Sequence, residues 1–351
     1  MALSGGHWST LAEAKKLTQS MLIPGVIDED IKRGNPFAML PLAQANHTGS
    51  SIKWLRSNAT ATGDVKNFTR GALRTWTESV TYTEVETELR SCNLSRLLDK
   101  FNPAIYGTFN NYEEIVLSEM LDAMKKNMGD KIIYDDYTYD DEGLQMDGLH
   151  ALAAENYGTK LDIDEGEGPL SLANMKQLIR EMKHGIDFFL VPFWLPDRMA
   201  DALQQAGFAG LATTSAGSLG TITMTKDDFG KPLYQFSGIP LIPTDFLVPE
   251  NANTGIPAKA RTKNTTGTGN MYSIFAIKLG QGNLTARDPG LKLAFGQTEN
   301  DGDMLNLEYW DKLETHIGTK GMSITAHTCL INGSSMCVGR IWDVTDAAIT
   351  A

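Results

Sequence analysis

Apolar positions recur every four residues from Tyr112 through Val116, Met120 and Met124 to Met128, with Ile115, Leu117 and Leu121 beside them. That period draws one apolar stripe along a helix, so the pattern predicts an α-helix over Asn111 to Met128. The ends carry matching signals. Asn110 or Asn111 can cap the first turn with Glu113 or Glu114 reaching back, Lys125 and Lys126 suit the negative end of the dipole, and Gly129 can stop the helix. A methionine stripe at this spacing reads as core before it reads as a pliable binding face. A second helix is predicted over Leu172 to His184, with Leu172, Met175, Leu178, Ile179 and Met182 on one face, ending at Gly185. A buried strand, Ile186 to Val191, follows, and Pro196 opens a third helix that closes at Gly207.

Elsewhere the period is two. Ser79 to Leu89 alternates at Val80 and Tyr82 and then shifts phase to Val85, Thr87 and Leu89, which predicts a strand bulged or bent near Glu84. In the polar stretch Ser51 to Thr77, Ile52 to Leu55 and Leu73 to Trp76 flank Gly63-Asp64, the pattern of a long two-stranded excursion. A lone hairpin is marginally stable, so it needs something to lie on. Ile132-Ile133-Tyr134 reads as a short strand, as do Tyr234 to Phe236, Ile239 to Ile242 and Met271 to Leu279, with a Thr/Asn/Gly/Pro-rich loop over Pro249 to Asn270. A turn is predicted at Asn332-Gly333 between Ile324 to Ile331 and Met336 to Trp342. The first fifty residues hold a short amphipathic piece, Thr10 to Met21, and then segments broken at Pro24, Pro36 and Pro41, which read as an extended arm. Strands, a long helix, more helices and closing strands in that order spell α+β and not a doubly wound α/β sheet.

With 351 residues, 42% of them hydrophobic, the chain can bury a sizeable core in two domains or one elaborated domain. No apolar run reaches the roughly 18 residues that span a bilayer, and the start lacks a secretory h-region, so the chain reads as soluble with no membrane partner. Three cysteines without CxxC spacing indicate neither a disulfide framework nor a zinc ribbon. A formal net charge of −12 speaks against a protein built to grip nucleic acid. Its distribution says more than its sum: Asp130 to Glu167 carries −10, whereas Ser51 to Thr77 carries +4 through Lys53, Arg56, Lys66, Arg70 and Arg74 against Asp64.

The acid-rich stretch sets Asp135, Asp136, Asp140, Asp141 and Glu142 within eight positions. It does not match an EF-hand loop, because Thr138 and Tyr139 interrupt the alternate ligands, and Asp162 to Glu167 lacks the terminal bidentate Glu. A solvated acidic loop is the plainer reading. No GxxxxGK[ST], HExxH or GxSxG occurs, and the six histidines are scattered, so no catalytic, cofactor-binding or metal-ligating residue is assigned.

The order of elements, and several motifs within it, resemble the Hong Kong 97-like major capsid proteins of tailed bacteriophages. After the long helix, KIIYDDYTYDDEGLQMDGL resembles the family's strand and turn leading to a Gly-Leu pair, here Gly148-Leu149. LANMKQLIREMKHGIDFFLVPFWLPDRMADAL resembles its helix, buried strand and proline-opened helix. FSGIPLIPTDF resembles its Gly-x-Pro strand, SIFAIKLG the β-segment after it, and ITAHTCLINGSSMCVGRIWDV its closing strands. Where the family often has Gly-Asp-Gly, this chain has Tyr134-Asp135-Asp136.

The resemblance implies an N-terminal arm over residues 1–48 and an extended E-loop hairpin over 49–78. It implies a peripheral domain from 79–169 and 304–351 with a spine helix near 111–128, and an axial domain over 170–303. It implies a structural, non-enzymatic subunit that assembles with itself into pentamers and hexamers of an icosahedral shell around phage double-stranded DNA. Such a protein belongs to the virion capsid and assembles in the host bacterial cytoplasm, with separate scaffolding, portal and decoration proteins as further partners, and no fused scaffolding leader is expected. The hypothesis for the charges is that Lys53, Arg56, Lys66, Arg70 and Arg74 dock on a neighbour's Asp135, Asp136, Asp140, Asp141 and Glu142. Two alternatives stand: an encapsulin-type compartment enclosing cargo enzymes, and, from another class, a metal-dependent hydrolase using the Asp135 to Glu142 cluster.

Overall fold

The computed structural model describes residues 29–45, 51–57, 67–73, 82–100, 112–137, 144–205, 222–226, 232–251, 263, 269–284, 287–296, 304–311 and 318–350. In chain order these form β1 (Leu42–Ala45), β2 (Ser51–Ser57), β3 (Tyr82–Glu88), β4 (Arg90–Asp99), α1 (Tyr112–Tyr134), α2 (Leu149–Ala154), β5 (Asp162–Ser171), α3 (Leu172–Glu181), β6 (Phe188–Pro192) and α4 (Leu195–Gln205). There follow β7 (Ile222–Lys226), β8 (Pro232–Phe236), β9 (Ile239–Thr244), β10 (Met271–Ile277), β11 (Leu291–Gly296), β12 (Leu305–Trp310), β13 (Thr319–Asn332) and β14 (Val338–Thr350). The architecture is α+β.

The predicted long helix is present, and its methionine stripe is core. Met120, Met124 and Met128 are buried against Leu98 of β4 and Met322, Ile324 and Ala326 of β13. Two expectations about its end are corrected. Gly129 does not stop it, and Ile132-Ile133-Tyr134 is not a strand: α1 runs 23 residues, to Tyr134. Gly129 serves a crossing instead. The chain ahead of β1 passes over α1 there, and a Cβ on Gly129 would overlap the Asn35 side chain and come within 2.8 Å of the Phe246 ring. Asn35 Nδ2 donates to the Lys125 carbonyl at 2.9 Å, which fixes the crossing. Beyond it, Ile132, Ile133 and Tyr134 are all buried, so the helical period that would have identified them is lost. The helix closes with Asp135 N donating to Lys131 O, and Gly148 N then donates to Asp135 O at 2.7 Å. Gly148 lies so near three carbonyls of this helix end that a Cβ would sit at about 2.9–3.0 Å from them, which is why a glycine precedes Leu149 at the start of α2.

Three sheets form. A five-stranded sheet has the order β1-β11-β13-β12, with β4 also on β13; a seven-stranded sheet has the order β5-β14-β10-β6-β9-β8-β7; β2 and β3 pair alone. The β2–β3 register runs unbroken from Ser51↔Glu88 to Ser57↔Tyr82, so the expected bulge near Glu84 is absent. The apparent phase shift arises because Tyr82 stands on the outer face, 60% exposed, and does not share the face of Val85. Asn332-Gly333 is no hairpin turn either: a 3-10 turn at Ser335–Cys337 follows, and β13 and β14 enter different sheets. Long-range packing decides this, since Gly333 lies against Asp288 and Pro289, and Ser334 N donates to the Pro289 carbonyl at 2.9 Å. Strand pairing therefore groups the chain otherwise than at residues 170 and 304. The closing strand β14 joins β5 and β10 in the larger sheet, while β11 joins β13 in the smaller. The SGI step is a two-residue turn, with Ser237 and Gly238 at φ 50° and 81° and Phe236 paired to Ile239.

The first half of α1 shares a core with β4 and β13. Its last turn enters a second core with α2, Phe188, Leu190, Phe275, Leu291 and Leu330. A third lies between the seven-stranded sheet and α3 and α4, around Met175, Leu178, Phe189, Met199 and Ile341. Met124→Asp places an unpaired charge in the first of these, at a cost of roughly several kcal/mol. Loss of soluble folded protein is expected, with Met124→Leu retaining it, as read by soluble yield and far-ultraviolet circular dichroism.

Candidate assembly surface

Alternation along β2 and β3 turns Ile52, Trp54, Arg56, Val85 and Thr87 to one face and Lys53, Leu55, Tyr82, Glu84 and Glu86 to the other. Ile52, Trp54 and Leu89 pack on Ala294 of β11 and on Cys329 and Ile331 of β13, so these strands lie on their own body. Arg56 corrects the expectation that it docks on a neighbour. It sits on the inward face, where Nη2 donates to the Asn332 carbonyl at 2.6 Å, Nε to the Gly333 carbonyl at 3.2 Å and Nη1 to Glu155 Oε2 at 3.0 Å. Those carbonyls lie where β13 ends, and the guanidinium fork supplies donors to both at once. Lys53 faces outward, 3.0 Å from both Glu84 and Glu86 of the facing strand, and its hydrogen bonds to Glu86 and Glu84 push its pKa up. Arg70 belongs to the exposed stretch 67–73, with Phe68 and Leu73 exposed beside it. Lys66 and Arg74 lie outside the described residues.

The acid cluster divides in the same way. Asp135 and Asp136 are 8% and 1% exposed, which removes them from any surface a neighbour could reach, against expectation. The cause is the longer helix: α1 carries them into the turn beneath Gly148 and does not leave them in a loop. Burial pushes the Asp135 carboxyl up to about 6, against the opposing pull of Lys131, whose Nζ lies 3.5 Å from Asp135 Oδ2. Asp140, Asp141 and Glu142 lie outside the described residues. Their flanks, Tyr137 and Asp147, line an opening of about 280 Å³ at the hairpin base together with Glu86, Glu88 and Arg90. There Arg90 pairs with Glu88 at 2.7 Å and stacks on Tyr137 at 4.7 Å. Three acids of the Asp162 to Glu167 run serve the fold: Asp162 pairs with Arg340, Asp164 accepts from Gly166 N, and Glu165 accepts from Ser171 N and Asn174 Nδ2. Among the described residues no group of three or more His, Cys, Asp or Glu is placed to hold a metal ion.

A buried polar chain escaped the sequence reading. Arg340 of β14 grips Asp162 of β5 through Nε at 2.7 Å and Nη2 at 3.0 Å, with both side chains fully buried. Arg340 Nη1 lies 3.1 Å from His150 Nδ1 of α2, and His150 Nε2 lies 3.1 Å from Glu250 Oε1. Ser273 of β10 donates to Glu250 Oε2 at 2.7 Å. The Tyr134 hydroxyl accepts from Val248 N at 3.1 Å and lies 3.2 Å from Glu250 Oε1. Burial, then the Glu250 charge, push the Tyr134 phenol well above its ordinary pKa, so it stays a neutral donor. The signal was available: an arginine inside the apolar run CVGRIW demands a buried partner.

Arg56→Ala deletes three hydrogen bonds at a half-buried site and is expected to destabilise the hairpin base by about 1.5–3 kcal/mol. Hydrogen exchange of peptides spanning β2 and β3 should quicken, while exchange in α3 stays unchanged. For Asp135 the folded pKa of about 6 lies above the ordinary 3.8, so its contribution to stability is present at acid pH and is lost as pH rises from about 4 to 6. Asp135→Asn should flatten that slope. The check is the difference in melting temperature between parent and variant at pH 4 and pH 7.5, with the variant gaining at the higher pH.

Neither a family model nor a curated protein matches the chain. Solved structures do. The holo-SrpI encapsulin complex from Synechococcus elongatus PCC 7942 is similar over 100% of this chain and 99% of its own, at 12% identity and a TM-score of 0.63. The Cyanophage A-1(L) capsid asymmetric unit is similar over 94% and 98%, at 11% identity and a TM-score of 0.60. The capsid of the native GTA particle is similar over 97% and 100%, at 11% identity and a TM-score of 0.58. These likenesses span whole subunits and share one arrangement of strands and helices, so the chain has the Hong Kong 97-like capsid fold.

Proposed function

We propose that the chain is the structural subunit of an icosahedral shell, assembling with itself into pentamers and hexamers that enclose the double-stranded DNA of a tailed phage. The observation that carries this is the likeness to phage and GTA capsid subunits along nearly the whole chain, at both ends of the comparison. In this reading residues 1–48 form an arm, α1 is the spine of the peripheral domain, and the seven-stranded sheet belongs chiefly to the axial domain. Scaffolding, portal and decoration proteins are partners, assembly takes place in the host cytoplasm, and the subunit performs no catalysis.

The hairpin beyond Ser57 and Tyr82 supplies the inter-subunit contact. With Arg56 turned inward, Lys53 matched by Glu84 and Glu86, and Asp135 and Asp136 buried, the charges left for neighbours are Lys66, Arg70 and Arg74 on one side and Asp140, Asp141 and Glu142 on the other. Each exposed pair contributes only about 0.2–1 kcal/mol, but the contact repeats in every ring.

An encapsulin-type compartment is the second reading, favoured by the full-length likeness to the Synechococcus elongatus complex. Both readings require closed particles, and their contents separate the two. Expressed protein viewed by negative-stain microscopy should show uniform closed shells, and particles isolated from their natural source should contain DNA; enzyme cargo without DNA would favour the compartment. Free subunits under all conditions would sink both. Arg70→Glu with Arg74→Glu should abolish shells even at low salt, and parent shell yield should fall between 0.1 M and 1 M salt as the Debye length shrinks from about 10 Å to about 3 Å. Normal assembly of the double variant would remove the hairpin charges from the account.

A further inference from the structure

We propose that His150 is an acid-sensitive latch: as the neutral imidazole it closes the buried chain that ties α1, α2 and the 248–250 segment to the seven-stranded sheet, and a proton on Nδ1 opens it. The proton positions follow from the partners. Arg340 Nη1 can only donate, so His150 Nδ1, 3.1 Å away, accepts. Nε2 then carries the single ring proton and donates to Glu250 Oε1 at 3.1 Å. Both ring nitrogens are committed, and the imidazole is fully buried.

A second proton has one place to go, Nδ1, where it would face the guanidinium. Arg340 cannot withdraw without breaking its two bonds to Asp162, and it cannot deprotonate. Two donors and two positive charges would then stand about 3 Å apart, both fully buried. The other groups facing His150 do not reverse this. Tyr134 of α1 presents its ring at 5.2 Å, and Phe275 of β10 presents an edge at 4.8 Å. Glu250 attracts a positive imidazole, but it already receives the Nε2 proton in either state, so protonation adds charge attraction there and no new bond. On the Arg340 side it removes a bond and adds repulsion. Behind these stand Ser273 on Glu250, Asp162 on Arg340, and Lys263 over the Tyr134 ring at 5.1 Å.

The sign follows. The closed arrangement holds His150 neutral, whereas an opened one returns it to water, where an imidazole titrates near 6.5. Opening takes up a proton, so it becomes more frequent as pH falls through about 6.5, by up to about tenfold per pH unit. The parts that respond are α2, with all six residues buried, and the segment around Glu250, because His150 joins both to Arg340 of β14, beside the segment's own ties to β10 through Glu250 N to the Met271 carbonyl and Ser273 to Glu250.

His150→Gln is the discriminating variant. Its side-chain oxygen can accept from Arg340 and its amide nitrogen can donate to Glu250, but it does not titrate. Amide hydrogen exchange of the full chain, corrected for the intrinsic rate, is measured at pH 7.5 and 5.5 in peptides spanning 149–154 and 246–250. Protection in the parent should fall by up to about tenfold, and protection in His150→Gln should hold. An equal fall in both, or no fall in the parent, overturns the latch. If the variant does not fold, deuterium exchange at the His150 imidazole C2 carbon reads its protonation in the parent. A ring neutral at pH 7.5 that gains its proton in step with the loss of protection supports the proposal; a ring already charged at pH 7.5 overturns it.

Discussion

The structure depends on one helix belonging to two cores. At 23 residues α1 is roughly 35 Å long, and its first turns complete the apolar layer over β4 and β13 while its last turn completes the layer around α2, β6, β10 and β11. Neither layer closes without it. The chain entering β1 crosses the helix at Gly129, close to where one layer gives way to the other, and the missing side chain there lets Asn35 reach the helix carbonyl directly. Methionines suit the first layer because their flexible side chains fill the gap between a straight helix and a twisted sheet.

Polar groups hold what apolar packing leaves undirected. Two arginines play parallel parts: Arg56 ties the hairpin base to the end of β13, and Arg340 ties β14 to β5 and, through His150, to α2. Apolar side chains of similar size could fill either position without desolvating a charge. What the guanidinium adds is direction, since its fixed fork accepts only one placement of the carbonyls or carboxylate it meets. With His150 neutral, the inner chain holds Asp162, Arg340 and Glu250, one negative charge in excess, and donors from Ser273, Tyr134 and His150 converge on Glu250, where that charge lies.

What was legible in the sequence, and what was not, divides along a physical line. The four-residue period at Tyr112 to Met128 was enough to place α1 and its buried face, because half that helix meets solvent and half meets the sheet. Its last turn was not, because a segment buried on all sides has no period to read. Gly129 and Asn332-Gly333 misled for a related reason. Each looked like a local stop or turn, and each is set by a distant segment, Asn35 and Phe246 in one case and Asp288 and Pro289 in the other. The charge tally of the hairpin was correct as arithmetic, but strand alternation assigns Arg56 to the inside, and a sum over residues takes no account of facing.

The same division bears on how neighbouring subunits would hold together. Once Arg56, Asp135 and Asp136 are spent within the subunit, and Lys53 is matched by Glu84 and Glu86, the hairpin offers fewer free charges than the sequence suggests. It also offers apolar side chains: Leu55 and Tyr82 on the outer face, Phe68 in the exposed stretch beyond, and Leu73, which is 97% exposed. Burying one such side chain contributes about 1.5–3 kcal/mol, against about 0.2–1 kcal/mol for a surface ion pair. Adhesion in the proposed shell therefore rests chiefly on the apolar positions. The charges fix register and exclude wrong pairings, so salt would act on the accuracy and rate of assembly before it acted on the cohesion of a finished shell.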